Sequence, residues 1–160
     1  MNEISGRYSI LPDECYIPDA EHIALQSEDN KQGRQSEPVP AETAGEVRRL
    51  LEEDQRKVFE DYHRLLDMGI AREISRINLP LSVYTEFYWQ IDLHNLFHFL
   101  KLRLDGHAQY EIREYGKVMF DIVKAVCPIA AEAFENIKLN GRSFSGREVD
   151  AIKAMLRGKA

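Results

Sequence analysis

No stretch of this 160-residue chain is apolar for long enough to cross a bilayer, and Met1-Asn2-Glu3 is no signal-peptide start. The expectation is a cytoplasmic protein without a membrane partner. Positive charge is short as well: 21 Lys and Arg stand against 27 Asp and Glu, a net charge of -6. That balance argues against nucleic-acid binding by phosphate neutralisation, while leaving room for a local basic pocket around one phosphate ester. Cysteine is scarce. Cys15 and Cys127 sit in unrelated contexts with no CxxC or metal spacing, so they read as reduced residues of a cytosolic chain. Cys127, before Pro128 and after an apolar helical run, reads as a small buried side chain. Internal repeats are absent. What remains, 44% apolar and 30% charged residues, has the balance of an ordinary globular protein and suits a single domain over 1–160 with a real core.

Along the chain, residues 1–18 mix turn formers and β-formers and read as loop with extended pieces. Residues 26–40 are polar, with Gly33, Pro38 and Pro40, and read as an exposed loop. From Ala41 the pattern turns helical: Val47, Leu50, Leu51, Val58, Tyr62, Leu65 and Leu66 recur at three-to-four spacing, and Gly69 is a stop. A short helix over Ala71–Ile77 ends before Pro80. Val83–Ile91, crowded with β-branched and aromatic residues, reads as a strand or extended bridge. A helix from Asp92 to Arg103 has Asp92 as N-cap, a longer one runs over Ala108–Val126, and Pro128 opens another at its first turn. Ser145-Gly146-Arg147-Glu148 is a capping box before Val149, Ile152, Met155 and Leu156. The chain is expected to be mainly α-helical with little strand, a piece of an α+β fold.

Three clusters could carry chemistry. In Asn2-Glu3-Ile4-Ser5-Gly6-Arg7-Tyr8-Ser9, backbone N–H groups, a hydroxyl and a guanidinium could meet an anion, although such tetrapeptides also occur in ordinary turns. In Arg72-Glu73-Ile74-Ser75-Arg76, two arginines four apart share a helical face; the plain alternative is a solvated charged turn. The third cluster runs from Asp92 to Gln109 and holds His94, His98 and His107. His94 and His98 are i,i+4, which would suit a metal, but Asn95 stands where a zinc-protease helix would carry its catalytic Glu. Paired helical histidines are more often hydrogen-bonded, partly buried residues, so no metal is expected. At about 100° per residue, His94, His98 and Leu102 form one stripe and Arg103 lies off it, near a helix C-terminus that suits a cation. Arg103 is then either an ion-pair partner or a ligand-facing group.

The run LPLSVYTEFYWQIDLHNLFHFLKLRLDGHAQYEIREYG resembles the heart of the flavin-dependent thymidylate synthase family, and NEISGRYS resembles the end of that family's signature, RHRxxSxNExSxR. AREISRINLP lies between them in matching order. The DLHN…H cluster is similar to one of two family variants, the other having Asn and Arg at the places of Asp92 and His94.

This resemblance implies an α+β fold for the complete enzyme and conversion of dUMP to dTMP. The one-carbon unit would come from methylenetetrahydrofolate and the reducing equivalents from NADPH through FAD, with no cysteine nucleophile. Carried over by position, Ser5, Gly6 and Arg7 cradle dUMP with Glu3 beside them, Arg76 is a second arginine on the nucleotide, and Arg103 binds the pyrimidine carbonyls as the catalytic residue. Asn2, Glu3, Asp92, His94, His98, Leu102 and His107 line the flavin. The family implies a homotetramer with sites shared between chains. The chain opens inside the signature, so the RHRxxS half and the sheet-forming region before it are expected to lie outside these residues. That leaves apolar surface on Val83–Ile91 uncovered and makes the chain a fragment, half of a split enzyme or a remnant. The alternatives are a non-catalytic helical subunit that oligomerises with a full-length relative, a hydrolase with metal on the histidines, and a relative methylating another pyrimidine nucleotide.

Overall fold

The apolar periodicity that begins at Ala41 becomes a 27-residue helix in the computed structural model, which describes residues 1–29 and 33–158. Two compact units emerge where 1–160 reads as one domain: Met1–Gln90, and the chain from Ile91 onward.

The first unit is organised on helix α1 (Ala41–Asp67), whose buried residues are Ala44, Gln55, Phe59 and Tyr62. Their spacing defines one face, with Phe59 and Tyr62 meeting edge to face at 6.1 Å. The expected stripe is thereby shifted: Tyr62 is in the core, whereas Leu50 is 47% exposed. Met68 caps the helix and Gly69, at φ 75°, turns the chain out of it, a conformation that costs glycine nothing. Buried Gln55 donates through Nε2 to the Tyr16 carbonyl at 3.2 Å and to Ser82 Oγ at 3.0 Å. It thus ties two extended segments joined at the Cys15–Val83 bridge, and its own polar atoms are satisfied on the buried face.

Strand content is small. β1 (Asn2–Glu3) pairs antiparallel with β4 (Phe87–Tyr88), Asn2 opposite Tyr88 and Glu3 opposite Phe87. The strand expected over Val83–Ile91 therefore shrinks to two paired residues plus the bridge at Val83, because β1 offers a ladder only that long. Tyr84, Phe87, Tyr88 and Trp89 are left 37% or more exposed. The expected loop over 26–40 also changes. β2 (Ala24–Gln26) and β3 (Arg34–Pro38) form an antiparallel hairpin with an irregularity between Ala24 and Gln26, since Pro38 at the end of an exposed strand need not donate to a ladder. The part of that segment over 30–32 lies outside the described residues. A 3-10 turn (Ala20–His22) precedes the hairpin, and α2 (Arg72–Ser75) follows α1. Expected over Ala71–Ile77, α2 is shorter because its last turn tightens to bonds such as Ile77 N–H to the Ile74 carbonyl at 3.1 Å.

The second unit is helical: α3 (Leu93–Arg103), α4 (Tyr110–Val126), α5 (Pro128–Phe134) running into a π-turn (Glu135–Leu139), and α6 (Gly146–Arg157). Pro128 occupies the first turn of α5 and Ser145 with Glu148 forms the capping box of α6, as their sequences predict. α4 starts at Tyr110 rather than Ala108, because Gln109, at φ -53° and ψ 141°, is extended rather than helical. Leu100, Phe120, Val123, Ala131 and Phe134 form the core. Phe134 stacks on Phe97 at 4.4 Å and meets Phe120 edge-on at 5.6 Å. Full burial of a side chain such as Leu100 contributes about 1.5–3 kcal/mol. Gly116 of α4 lets the helix pass close to the end of α3, where an added Cβ would lie 3.4 Å from Leu104 Cδ2. The chain is thus mainly α-helical with few strands, and no helix among the described residues is long and apolar enough to cross a membrane.

Candidate functional site

In the first unit, β1 delivers the chain into a tight turn. The Ile4 N–H bonds the Glu86 carbonyl at 3.0 Å, and the Ser5 carbonyl accepts from Tyr8 and Ser9 N–H, each at 3.0 Å. Ser5 Oγ accepts the Arg7 N–H at 3.3 Å. Gly6 is buried at the bend. A Cβ there would lie 3.0 Å from Leu11 Cδ1 and 3.2 Å from Arg76 Cδ, so the turn approaches the Arg76 side chain because residue 6 has none. Arg76 is half-buried, and its guanidinium has no hydrogen-bond or ion-pair partner among the described residues. Arg7 reaches Glu73 only at 3.9 Å with both side chains 59% exposed, a weak pair that an arriving anion can replace. Arg72 Nη1 donates to the Tyr8 carbonyl at 3.2 Å and braces the turn. Structure thus brings Ser5, Gly6, Arg7 and Arg76 together, with Asn2 and Glu3 on the adjoining ribbon.

In the second unit, α3 begins where Asp92 accepts from the Asn95 N–H at 3.0 Å and from Asn95 Nδ2 at 2.6 Å. These donors, the backbone one foremost, hold the Asp92 carboxyl below its ordinary range. In the first and second turns of α3, the His94 and His98 rings meet edge to face at 4.7 Å on the wall of a cleft of ≈ 400 Å³. Phe97 and Lys101 share that wall, and Ala133, Phe134 and Lys138 stand on the other. None of the lining side chains is acidic, a local reversal of the chain's net charge of -6. Leu102 is 65% exposed and is not part of the cleft wall. Arg103 lies over the Phe99 ring at 5.7 Å, with no carboxylate partner among the described residues. Past the helix, Asp105 Oδ1 accepts from the His107 N–H and from its ring Nδ1, both at 2.8 Å. The backbone donor, then the ring, lowers the Asp105 carboxyl, and His107 itself stays exposed. Arg113 pins this corner from Gly106 at 2.9 Å.

Sequence reasoning missed several participants. Lys101 falls one turn after His98, a spacing that could have flagged it; Lys138 and the α5 wall could not have been found without the helix packing. Glu73 stands between Arg72 and Arg76 in the sequence, but the cation it meets is Arg7, distant in the chain. Among the described residues no group of three or more His, Cys, Asp or Glu could hold a metal ion.

This chain belongs to the thymidylate synthase complementing protein family, whose sequence model matches residues 1–129. The flavin-dependent thymidylate synthase of Treponema denticola is 57% identical over 159 residues, covering 99% of this chain and 60% of that protein. That of Treponema pallidum is 52% identical, covering 99% and 52%. The chain therefore spans little more than half the length of these relatives. Among solved structures, a UMP/dUMP methylase, PolB from Streptomyces cacaoi bound with 5-Br UMP, superposes with a TM-score of 0.79 at 33% identity, covering 86% of this chain and 63% of that one.

Proposed function

We propose that the chain is the part of a flavin-dependent thymidylate synthase that carries its nucleotide turn and flavin helix, and that it serves the reductive methylation of dUMP to dTMP. The observation that carries this reading is the Gly6 turn closing over an unpaired Arg76, at the positions that the family resemblance assigns to dUMP. Two guanidiniums, Arg7 and Arg76, with the Ser5 hydroxyl and the N–H groups of the turn, suit a dianionic phosphate ester. Arg103 is the catalytic residue. A cation at the pyrimidine carbonyls stabilises negative charge as it develops there, and it does so best where no protein carboxylate already neutralises it.

The acid-free cleft beside His94 and His98 fits an aromatic, phosphate-bearing cofactor, with flat imidazole and phenyl surfaces next to two ammonium groups. When bound, FAD would pass on reducing equivalents from NADPH, and methylenetetrahydrofolate would supply the one-carbon unit. Asn2, Glu3, Asp92, His94, His98, Leu102 and His107 are the residues proposed to hold the flavin, in a homotetramer with sites shared between copies. FAD absorbance co-eluting with the chain on gel filtration, then tritium release from 5-tritiated dUMP, tests the reading. The release assay is run with and without an added segment carrying RHRxxS. Colourless protein and no release under either condition would overturn it.

Structural likeness to a methylase bound with 5-Br UMP and, in a second structure, 5-Br dUMP supports one other reading, a relative acting on UMP. Turnover of UMP exceeding that of dUMP in the same assay would select it.

A further inference from the structure

We infer that Tyr62 and His63, consecutive residues of α1, are positioning residues that set the height of the nucleotide-side turn from its far side. The inference rests on the assignment of Ser5, Gly6, Arg7 and Arg76 to dUMP made above. Tyr62 is 1% exposed, and its phenol oxygen accepts the Leu11 N–H at 3.2 Å. His63 Nε2 faces both oxygens of Asp13, at 2.7 and 3.0 Å. A carboxylate can only accept, so the imidazole donates, which fixes the proton on Nε2. The two contacts grip positions 11 and 13 from adjacent points of a rigid helix, and the 5.3 Å contact between the Tyr62 and His63 rings couples them.

The gripped segment leads back to the turn through one side chain. Leu11 Cδ1 occupies the space that a Cβ on Gly6 would need, and Arg76 Cδ closes it from the other direction. Lowering or lifting Leu11 therefore changes the seat of Gly6 and, with it, the spacing between the turn's N–H groups and the Arg76 guanidinium. Binding a phosphate ester between fixed donors depends on that spacing, because donors already in place need no reordering when the ligand arrives. An ordinary loop tether would affect residues 11–13 alone. A brace must reach residues 5–9 as well.

The test uses the 160-residue chain with labelled dUMP in equilibrium dialysis, together with amide hydrogen exchange over residues 5–13. Asp13→Ala and His63→Leu change half-exposed side chains and leave the core intact. Each should weaken dUMP about tenfold, on the scale of losing one preorganising contact, and should speed exchange at Tyr8 and Ser9. His63→Gln keeps an N–H for Asp13 and should restore most of the affinity; Tyr62→Phe should behave like His63→Leu. Unchanged dUMP affinity in Asp13→Ala and His63→Leu, or exchange effects confined to residues 11–13, overturns the inference and leaves the proposed function standing. A wild-type chain that binds no dUMP, even with the added segment carrying RHRxxS, removes the nucleotide assignment, and the inference with it.

Discussion

The outer face of α1 and the outer face of α3 handle positive charge in opposite ways. On α1 the cations of the middle turns are matched, Arg64 in the last turn being the exception: Arg49 lies between Glu46 and Glu53, with Nη–Oε distances of 2.6 and 2.8 Å, Arg56 meets Glu60 at 2.7 Å, and Lys57 meets Asp61 at 2.6 Å. The carboxylate hydrogen bonds raise the Arg49 guanidinium above its ordinary range, and Arg49 lowers Glu46 in return. On α3, Lys101 and Arg103 have no acid partner among the described residues, and the only carboxylate at that helix, Asp92, is spent on the cap. Matched i,i+4 pairs are how a solvated helix stabilises itself. Cations left unmatched in an acidic protein are available to a ligand. Among the described residues Arg64 of α1 and Arg147, Lys153 and Arg157 of α6 are unmatched too, and α3 differs from them in setting Lys101 on a cleft wall and Arg103 over the Phe99 ring.

The contrast makes Arg103→Ala the substitution with the largest expected effect. Methylation should fall about a thousandfold or more, as when one oxyanion-type donor is lost, while FAD stays bound. Unchanged tritium release in that variant would end the catalytic role assigned to Arg103. Gly6→Val ranks next. Its side chain meets Leu11 Cδ1 and Arg76 Cδ within 3.0 to 3.2 Å at the first carbon alone, so either the turn or the arginine must move. Affinity for dUMP should drop about tenfold or more, for want of preorganised donors, with near-native thermal stability; equal affinity by dialysis would show that the turn does not meet the nucleotide. His107→Ala should weaken FAD about severalfold by removing an exposed contact rather than a buried one. Flavin titration giving the wild-type affinity would remove His107 from the cofactor side.

How much of this was legible beforehand follows the range of the interactions. Helix starts and stops are written locally, in Asp92, Pro128, the Ser145–Glu148 box and Gly69, and each stands where its chemistry requires. Strands are decided by partners. Val83–Ile91 has the composition of a strand but only Asn2–Glu3 and the bridge from Cys15 to pair with, while the polar Arg34–Pro38 becomes a strand because β2 lies opposite it. The site divides in the same way. Ser5, Arg7, His94, His98 and Arg103 are visible as motif residues, and the resemblance named their roles. Gln55, a polar residue on an apolar face, gives no sign in the sequence of its role as a core tie. The cleft's second wall and the Leu11–Gly6–Arg76 contact depend on residues brought together from distant positions, which no local pattern encodes.

A smaller effect is expected at the cap of α3. The Asp92 carboxyl titrates below its ordinary value of 3.8 because the Asn95 donors favour its charged form. With the folded value below the unfolded one, the cap's contribution is present above the unfolded value and fades as pH falls through the folded one. Protection of the Asn95 amide against exchange, relative to an unstructured peptide, should therefore be high at neutral pH and fall below about pH 4. In Asp92→Ala it should be low throughout. Protection in the variant that still rose with pH would assign the effect to another group.

Arg49→Ala, the least of these, is the control on which the comparison depends. Its two partners are half-exposed and lie on its own helix, so the Coulombic gain is screened and offset by the cost of ordering three long side chains. Thermal stability, flavin absorbance and dUMP affinity should all stay within experimental scatter of the wild type, although the substitution removes the same guanidinium as Arg103→Ala. Similar losses from the two substitutions would mean that any arginine removed from this acidic chain does harm, and the division between matched and unmatched helix faces would carry no information about function. A silent Arg49→Ala beside an inactive Arg103→Ala would show that position, and the lack of an acid partner, is what makes the α3 cation matter.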